Sequence, residues 1–449
     1  MQIRHLFLAA VLVTGQIYAQ NTLVFRHANI VNGNRDEVQT NQTLVVQDGI
    51  IVSQHTEAAE LPKDATYIDL SGKYLIPTLY NMHGHLGIIK DTTNAAANYT
   101  AANVRNQLLR YQHYGVSTVL SMGTEQALLL PLRDSSRAGL IPGATIYSAL
   151  YGFGVAGGAP PVAMGMSSVF RPETAGQAQK QVDSLAALKP DVIKIWVDDF
   201  GGSMPKMKPE IYTAIVQQAH ARGIRVAAHV YYLEDARKLV QLGLDIIAHS
   251  IRDKEVDEAF IALMKQRKVV YIPTLSLDEF AYAYEQTPAW VNDPFFRASL
   301  EPGVYEMVTS TAYKQKVMND PKTPREKAAL KIAMRNLLKL YRAGVATALG
   351  TDSGALPIRP QGFSEHQEME LMVQAGLTPG EVIGIATLNG ARLLGLANKQ
   401  GSIETGKEAD FVILNANPLT DIKNTRKINA VYRKGQKVSS GPIGTVAGI

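Results

Sequence analysis

The chain has 449 residues, of which 46% are hydrophobic and 19% charged, so it is an ordinary globular sequence with enough apolar material for a large core. This length exceeds one ordinary domain, although barrels of about 250 residues or more fold as single units. The formal net charge is +5 without a dense basic run, which argues against a nucleic-acid partner, and the absence of cysteine excludes disulfides and thiolate metal ligands.

The first 19 residues have the layout of a secretory signal peptide. Arg4 precedes the apolar stretch Leu6–Val13, and a short region follows that ends in the small residue Ala19. An uncleaved membrane anchor is the alternative, but the apolar stretch is too short to cross a bilayer. We therefore predict cleavage after Ala19, export to the periplasm or the medium, and no stable membrane anchor afterwards.

Both ends of the mature chain look like β-structure. Residues 22–74 contain short alternating segments separated by turn clusters, and similar segments return at 401–403, 409–414 and 430–438. The sequence thus predicts a discontinuous small β-sandwich domain built from residues 20–77 and 400–449, which closes over a central domain of residues 78–399.

The central part repeats a strand-then-helix pattern. Several amphipathic stretches end in a glycine that a β-branched run follows at once, as at Gly115 and Gly223. Eight apolar runs can be counted, near 75–82, 116–122, 144–150, 191–197, 225–230, 245–250, 269–275 and 345–350. This predicts the α/β class and a (β/α)8 TIM-type barrel, with a doubly wound open sheet as the alternative.

Residues suited to metal binding stand at the ends of five of these runs. His83 and His85 are two residues apart, so in an extended chain they point to the same side. The other candidates are Lys194, His229, His249 and Asp352. Because the carboxyl ends of barrel strands gather at one face, the set predicts a metal site there.

Lys194 is unusual because it lies inside an apolar run. Burial should lower the pKa of its amine, which could then react with CO2 to form a carbamate. Our hypothesis is that carbamylated Lys194 bridges two divalent ions. The alternative is a lysine that pairs with Asp198 or Asp199.

These residues resemble the binuclear type of the amidohydrolase superfamily, and most closely its imidazolonepropionase-related and prolidase-like branch. Further matching pieces are residues 114–119, 365–371, 386–391 and 401–410. The resemblance implies two ions, expected to be zinc, the more buried one held by His83, His85 and Asp352. It implies that His229 and His249 hold the other, that Lys194 bridges them, and that Asp352 moves the proton as general base and then acid.

The sequence also departs from the family pattern at several positions. None of them is a metal-ligand position, but they make it unsafe to carry over a substrate. The departures are Thr78, Asn81, Leu120-Ser121, Gly157-Gly158-Ala159 and Tyr231.

Three residues near the predicted ligands are candidates for substrate contacts. Tyr231 could donate to a developing oxyanion, or simply pack. Arg252 could anchor a substrate carboxylate, or form a salt bridge with Asp253 or Glu255. Trp196 could form a pocket wall, unless the chain has already left the strand at that point.

The long insertion 278–323 is rich in aromatic residues. A loop of this length at the catalytic end would act as a lid or pocket wall, and an aromatic lining would favour substrates with an apolar or cyclic part. A helical extension at a subunit interface of a homo-oligomer is the other interpretation.

The predicted function is an exported metal-dependent hydrolase in which a metal-bridging hydroxide cleaves an amide, cyclic amide or dipeptide bond of a small substrate. An esterase, lactonase or carbamate hydrolase on the same site is the first alternative, since the same hydroxide attacks those carbonyls. A non-catalytic metal or peptide binder is the second, although no ligand position is lost.

Overall fold

The computed structural model describes residues 22–33, 36–56, 61–162 and 168–442, so the predicted signal peptide of residues 1–19 lies outside it. The strands are β1 (Thr22–Ile30), β2 (Gln39–Gln47), β3 (Ile50–His55), β4 (Thr66–Asp69), β5 (Tyr74–Pro77), β6 (Leu79–Gly84), β7 (Ile89–Lys90), β8 (Thr93–Asn94), β9 (Val116–Ser121), β10 (Thr145–Ser148), β11 (Ile193–Val197), β12 (Val226–Val230), β13 (Ile246–Ala248), β14 (Val270–Ile272), β15 (Phe411–Leu414), β16 (Ile428–Arg433) and β17 (Gln436–Ser439).

The helices surround and follow these strands. They are α1 (Ala101–His113), α2 (Leu129–Arg137), α3 (Ala175–Ala186), α4 (Pro209–Ala221), α5 (Leu233–Gln241), α6 (Glu258–Gln266), α7 (Leu275–Phe280), α8 (Pro294–Arg297), α9 (Val304–Thr309), α10 (Thr311–Met318), α11 (Thr323–Arg342), α12 (Phe363–Gln374), α13 (Pro379–Ala386) and α14 (Leu388–Leu393). The mixed α/β class is therefore confirmed. Within the described ranges, no helix combines the length and the apolar composition needed to cross a membrane.

Strands from both ends of the chain pair in one eight-stranded sheet. Its order is β17-β16-β15-β5-β1-β2-β3, and β4 pairs with β1. The aromatic rings of Phe25, Phe411 and Tyr432 pack together with centroids 5.1–5.3 Å apart. These side chains belong to a core separate from that of the central strands, because alternate residues of a strand face opposite sides of a sheet.

The central strands form two parallel sheets, β10-β9-β6 and β11-β12-β13-β14. Backbone hydrogen bonds continue between them. The amide of Phe153 donates to the carbonyl oxygen of Lys194 at 2.8 Å, and the amide of Trp196 donates to that of Phe153 at 3.0 Å. Residues just after β10 are thereby tied to β11.

The eighth predicted run, 345–350, contains no strand but lies between β14 and β6. The amide of Tyr271 donates to Ala346 at 2.8 Å, and the amide of Met82 donates to Leu349 at 2.8 Å. The first predicted run, 75–82, was wrong as a single strand, because its beginning is β5 of the terminal sheet and its end is β6 of a parallel sheet. Pro77 has no amide hydrogen, so the ladder cannot continue through it.

Arg433 connects the terminal sheet to the starts of the central strands. Its Nε donates to Oδ2 of Asp410 at 3.0 Å, and its terminal nitrogens reach the carbonyl oxygen of Ser117 at 3.2 Å and Oγ1 of Thr145 at 3.2 Å. The carboxylate of Asp410 is almost fully buried, with 3% of the side chain exposed. Arg433 thus neutralises a buried charge at the contact between the two sheets.

We predict that Arg433→Ala lowers the free energy of unfolding by about 3–5 kcal/mol, because it leaves the buried carboxylate of Asp410 without a cation, although the backbone amide of Lys434 still donates to it. Urea denaturation followed by circular dichroism measures this. Arg335→Ala is the control, since Arg335 pairs with Glu255 at the surface and its loss should cost less than about 1 kcal/mol. Equal losses in the two variants would contradict the assignment.

Candidate metal centre

Two histidines at the end of β6, His83 within the strand and His85 just after it, converge with one aspartate that follows the eighth run. Oδ1 of Asp352 lies 3.0 Å from Nε2 of His85 and 3.3 Å from Nε2 of His83. The three ligand atoms lie within 4.8 Å of one another, and all three residues are buried. Two imidazoles and a carboxylate are the donor set that divalent transition metals use in proteins, so these residues fit a metal ion.

The protonation states favour metal binding. Burial holds the pKa of His83 well below its ordinary value, and the charge of Lys194 adds to the effect. Burial alone would raise the pKa of Asp352, but hydrogen bonds from His83 and His85 and the charge of Arg359 outweigh it, so the pKa lies well below the usual range. Neutral imidazoles and an ionised carboxylate are the forms that bind metal.

The other three candidates lie beside this group. Nζ of Lys194 is 3.5 Å from Nε2 of His83. The ring centroids of His249 and His83 are 4.3 Å apart, and those of His229 and His249 are 4.4 Å apart. The structure therefore brings all six predicted ligands together, while their roles as ligands stay predictions.

Lys194 has no exposed surface. Burial lowers the pKa of its amine from 10.5 to about 7, against the opposing charges of Asp352 and Glu125. The alternative pairing of Lys194 with Asp198 is wrong, because Asp198 contacts His229 instead, with its Oδ2 2.9 Å from Nε2. Asp199 instead accepts a hydrogen bond from Tyr232 and pairs with Lys206.

Two threonines that the sequence reasoning missed orient the histidines. Oγ1 of Thr124 lies 2.9 Å from Nδ1 of His85, and Oγ1 of Thr274 lies 2.8 Å from Nδ1 of His249. Each contact occupies the outer nitrogen and leaves Nε2 on the opposite side of the ring. Such contacts fix ring orientation at metal sites, but nothing in the sequence pattern singles these threonines out.

Glu365 organises the layer beneath the centre. Its Oε1 accepts hydrogen bonds from Asn81 at 2.6 Å and from the hydroxyls of Thr351 and Ser353 at 2.8 Å each. Oδ1 of Asn81 in turn accepts from the backbone amide of His83 at 2.9 Å. An acidic residue at position 81 would face the carboxylate of Glu365, which gives a physical reason for the amide found here.

A cavity of about 330 Å³ opens onto the centre. Its lining includes His85, His229, His249 and Asp352. The remaining lining residues are Pro160, Pro161, Trp196, Phe200, Ser203, Met204, Arg252, Leu277, Lys322, Ala355, Leu356 and Arg359. Trp196 is still within β11 and forms part of the wall, so the strand has not ended before it.

Tyr231 is absent from this lining. Its hydroxyl accepts a hydrogen bond from Nε of Arg325 at 3.0 Å. Two guanidinium groups lie over its ring, with the Cζ atom of Arg325 at 4.3 Å and that of Arg252 at 4.8 Å from the ring centroid. The role of Tyr231 as an oxyanion donor stays a prediction.

Arg252 lines the cavity but is already paired. Its Nε lies 2.9 Å from Oδ1 of Asp278, and both side chains are buried. The expected salt bridges to Asp253 or Glu255 are wrong, because Asp253 accepts from the amide of Leu233. Glu255 pairs with Arg335 and Lys339.

The insertion 278–323 is largely helical, with α8, α9 and α10 in it. All of its aromatic side chains except Tyr282 pack with one another and with Tyr114 and Phe363, and none of them lines the cavity. The expectation of an aromatic pocket wall is therefore wrong, since these rings form a small core of their own. Only Lys322, at its end, reaches the cavity.

A larger cavity of about 790 Å³ lies near the starts of β9 and β10. Its arginines are already neutralised, Arg137 by Asp191 and Arg433 by Asp410. No histidine lines it. The chemistry is thus concentrated at the smaller cavity.

Comparison with known proteins identifies related sequences. A sequence model described as the amidohydrolase family matches residues 74–438. The ochratoxinase of Aspergillus niger is 29% identical over 248 residues, which cover 54% of this chain and 44% of that protein. The matched stretch thus spans less than half of this relative.

Solved structures match over nearly the whole chain. A putative prolidase from Bifidobacterium longum has a TM-score of 0.74 at 25% identity, covering 94% of this chain and 96% of its own. A Xaa-Pro dipeptidase with bound methionine has a TM-score of 0.75 at 22% identity, covering 93% and 99%. At such identity the dipeptidase establishes a shared fold.

We predict that the stability of the metal-free protein rises with pH through its buried lysine. Between about pH 7 and 10.5 the unfolded chain holds a proton on Lys194 that the folded chain has lost, so unfolding becomes harder as pH rises. Between about pH 7 and 10.5, the unfolding free energy of the wild type should rise relative to that of Lys194→Met by up to about 1.4 kcal/mol per pH unit.

Below about pH 7 both states hold the proton, so the difference should be flat. Urea denaturation of both proteins at a series of pH values, with chelator and without CO2, provides the measurement. Parallel curves between pH 7 and 9 would contradict the lowered pKa.

Proposed function

The chain belongs to the amidohydrolase family, as its motifs predicted, and on that premise we propose that it hydrolyses a carbon–nitrogen bond of a small substrate. The bond is an amide, a cyclic amide or a dipeptide bond. The observation that carries the proposal is the buried convergence of His83, His85 and Asp352, with the amine of Lys194 3.5 Å from His83. This donor set and its burial suit a hydrolytic metal centre.

The residues present fit two divalent ions, which we expect to be zinc. His83, His85 and Asp352 would hold the more buried ion, and His229 and His249 the other. When bound, such a pair supplies a hydroxide at neutral pH and polarises the carbonyl that is attacked.

Lys194 would bridge the ions as a carbamate. Its neutral amine would form a new bond from nitrogen to the carbon of CO2 and release one proton, which gives a carbamate whose single negative charge is shared by two oxygens. A pKa of about 7 supports this step, because a substantial fraction of the amine is then unprotonated at neutral pH.

Asp352 would move the proton. Its carboxylate accepts a proton from the attacking nucleophile and donates it to the leaving nitrogen, so the amine departs neutral. Contacts with two histidines and with Arg359 fix the position of this carboxylate. Positioning of this kind is what proton transfer over hydrogen-bond distance requires.

We also infer that the two parallel sheets close into one (β/α)8 barrel. The bonds of Phe153 to β11 support closure on one side, and those of the run 345–350 to β14 and β6 support it on the other. The terminal sheet would then belong to the sandwich domain of residues 20–77 and 400–449, with the barrel over 78–399. Export to the periplasm or the medium rests on the sequence of residues 1–19 alone.

We predict that the purified protein binds about two equivalents of metal and cleaves C–N bonds, and that Lys194→Ala loses both properties. Elemental analysis measures the metal content, and assays with a panel of amides, dipeptides, lactams, esters and lactones measure the activity. Lys331→Ala is a matched control, since Lys331 is exposed on α11 and does not line the cavity. Turnover of esters alone would overturn the proposal, and an active Lys194→Ala with one ion would overturn the carbamate.

Asp352→Asn tests proton transfer separately. We expect the metal to be retained, because the amide oxygen keeps a donor in place, while kcat falls at least about 100-fold for lack of a base. Asp253→Asn is the control, since the carboxylate of Asp253 accepts a hydrogen bond from the amide of Leu233. Its kcat should stay within about threefold of the wild-type value. Near wild-type turnover in Asp352→Asn would remove Asp352 from this role.

A further inference from the structure

The charges in the cavity are unbalanced. Arg252, Lys322 and Arg359 contribute three cations, and Asp352 is the one carboxylate in the lining. Apolar side chains form much of the remaining wall, including Trp196. A cavity of this kind is complementary to a molecule that carries both a negative group and an apolar part.

The three cations differ in how firmly their charge is already neutralised. Arg252 is buried against Asp278 and stacks on the ring of Tyr231. Lys322 is exposed and stands at the mouth, where water screens its charge. Arg359 remains, and among the described residues its ion pair is with Asp352.

That partner is the residue assigned to the metal centre. A carboxylate that shares its charge with metal ions neutralises a neighbouring guanidinium less well, because the same negative charge then faces several cations. In addition, Nε of Arg359 is buried and has no hydrogen-bond partner within the described part of the chain. Arg359 therefore brings to the cavity wall a positive charge that it shares with the carboxylate of Asp352, and a further anion could pair with it.

The backbone holds Arg359 rigidly beside the centre. Its amide donates to the carbonyl oxygen of Leu356 at 3.0 Å, and its carbonyl oxygen accepts from the amide of Gly354 at 3.0 Å. Gly354 has φ +82°, and an added Cβ would lie 2.2 Å from the carbonyl oxygen of His85, so only glycine fits. These contacts fix the backbone of the loop, and the ion pair with Asp352 positions the guanidinium, a planar group suited to bidentate binding of a carboxylate.

We propose that Arg359 binds a carboxylate of the substrate next to the bond that is cleaved. This deepens the proposed function and rests on it. The substrate class is an N-acyl amino acid or dipeptide with a free carboxylate and an apolar side chain that packs toward Trp196. The planar fork of Arg359 supplies specificity for the carboxylate over a neutral group of the same size.

The test compares two substrates that differ only in this group, N-acetyl-L-phenylalanine and N-acetyl-L-phenylalaninol, with the metal-loaded enzyme. We expect kcat/KM to favour the acid by about 10- to 100-fold in wild type, as one charge-assisted pair allows. In Arg359→Met the ratio should collapse to near unity. Arg359→Lys should give an intermediate ratio, and Lys322→Ala should keep most of the wild-type preference.

A binding measurement gives a readout that does not depend on turnover. The chain has two tryptophans, so Trp290→Phe leaves Trp196 in the cavity wall as the fluorescent reporter. The Trp290→Phe protein is compared with the double variant that also carries Arg359→Met, both with and without metal. The double variant should bind the acid at least about tenfold more weakly. Binding of the alcohol is compared in parallel.

The outcomes separate the two proposals. Turnover with equal kcat/KM for acid and alcohol would overturn the carboxylate site and leave the C–N hydrolase in place. Absence of any C–N hydrolysis, together with Arg359-dependent binding of the acid, would overturn the hydrolase and leave the anion site. If circular dichroism shows that Arg359→Met does not fold, Arg359→Lys is compared with wild type instead. An unchanged acid-to-alcohol ratio of kcat/KM in that variant, together with equal binding of acid and alcohol, would overturn the proposed carboxylate site.

Discussion

One carboxylate, that of Asp352, is the constraint on which the centre depends. Its backbone amide donates to the carbonyl oxygen of His83 at 2.7 Å, which ties the eighth run to β6. Its side chain contacts His83, His85 and Arg359 at the same time. Asp352 has φ +59°, a left-handed conformation that costs energy outside glycine and persists where the surroundings impose it. Strain of this kind is typical of functional sites.

Burial determines the chemistry of the neighbouring side chains. It lowers the pKa of Lys194 to about 7 and keeps His83 and His249 neutral. Burying such polar groups without a bound partner costs free energy, and a bound metal ion would offset part of that cost. The layer around Glu365 holds β6 from below, because Glu365 accepts a hydrogen bond from Asn81, and Asn81 accepts one from the backbone amide of His83.

The sequence predicted the six central residues because parallel strands end at a common face, so side chains at those ends meet whatever the loops do. It missed Arg359 and Thr124, which lie on connections whose path no periodicity encodes. It considered Asp198 as a partner of Lys194, whereas that carboxylate contacts His229. Glu365 belonged to a recognised motif, but its contact with Asn81 depends on how α12 packs. The insertion aromatics were misjudged because an apolar pattern indicates burial without saying against which neighbour.

The balance of charge explains why three cations can stand beside a site for metal ions. Positive groups near an ion weaken its binding, so each needs an anion close by. Asp278 serves Arg252, and water serves the exposed Lys322, but Arg359 shares Asp352 with the centre itself. Under the proposed metal loading, that single carboxylate cannot neutralise all its neighbours. A substrate carboxylate would add negative charge beside Arg359, which a neutral amide would not do.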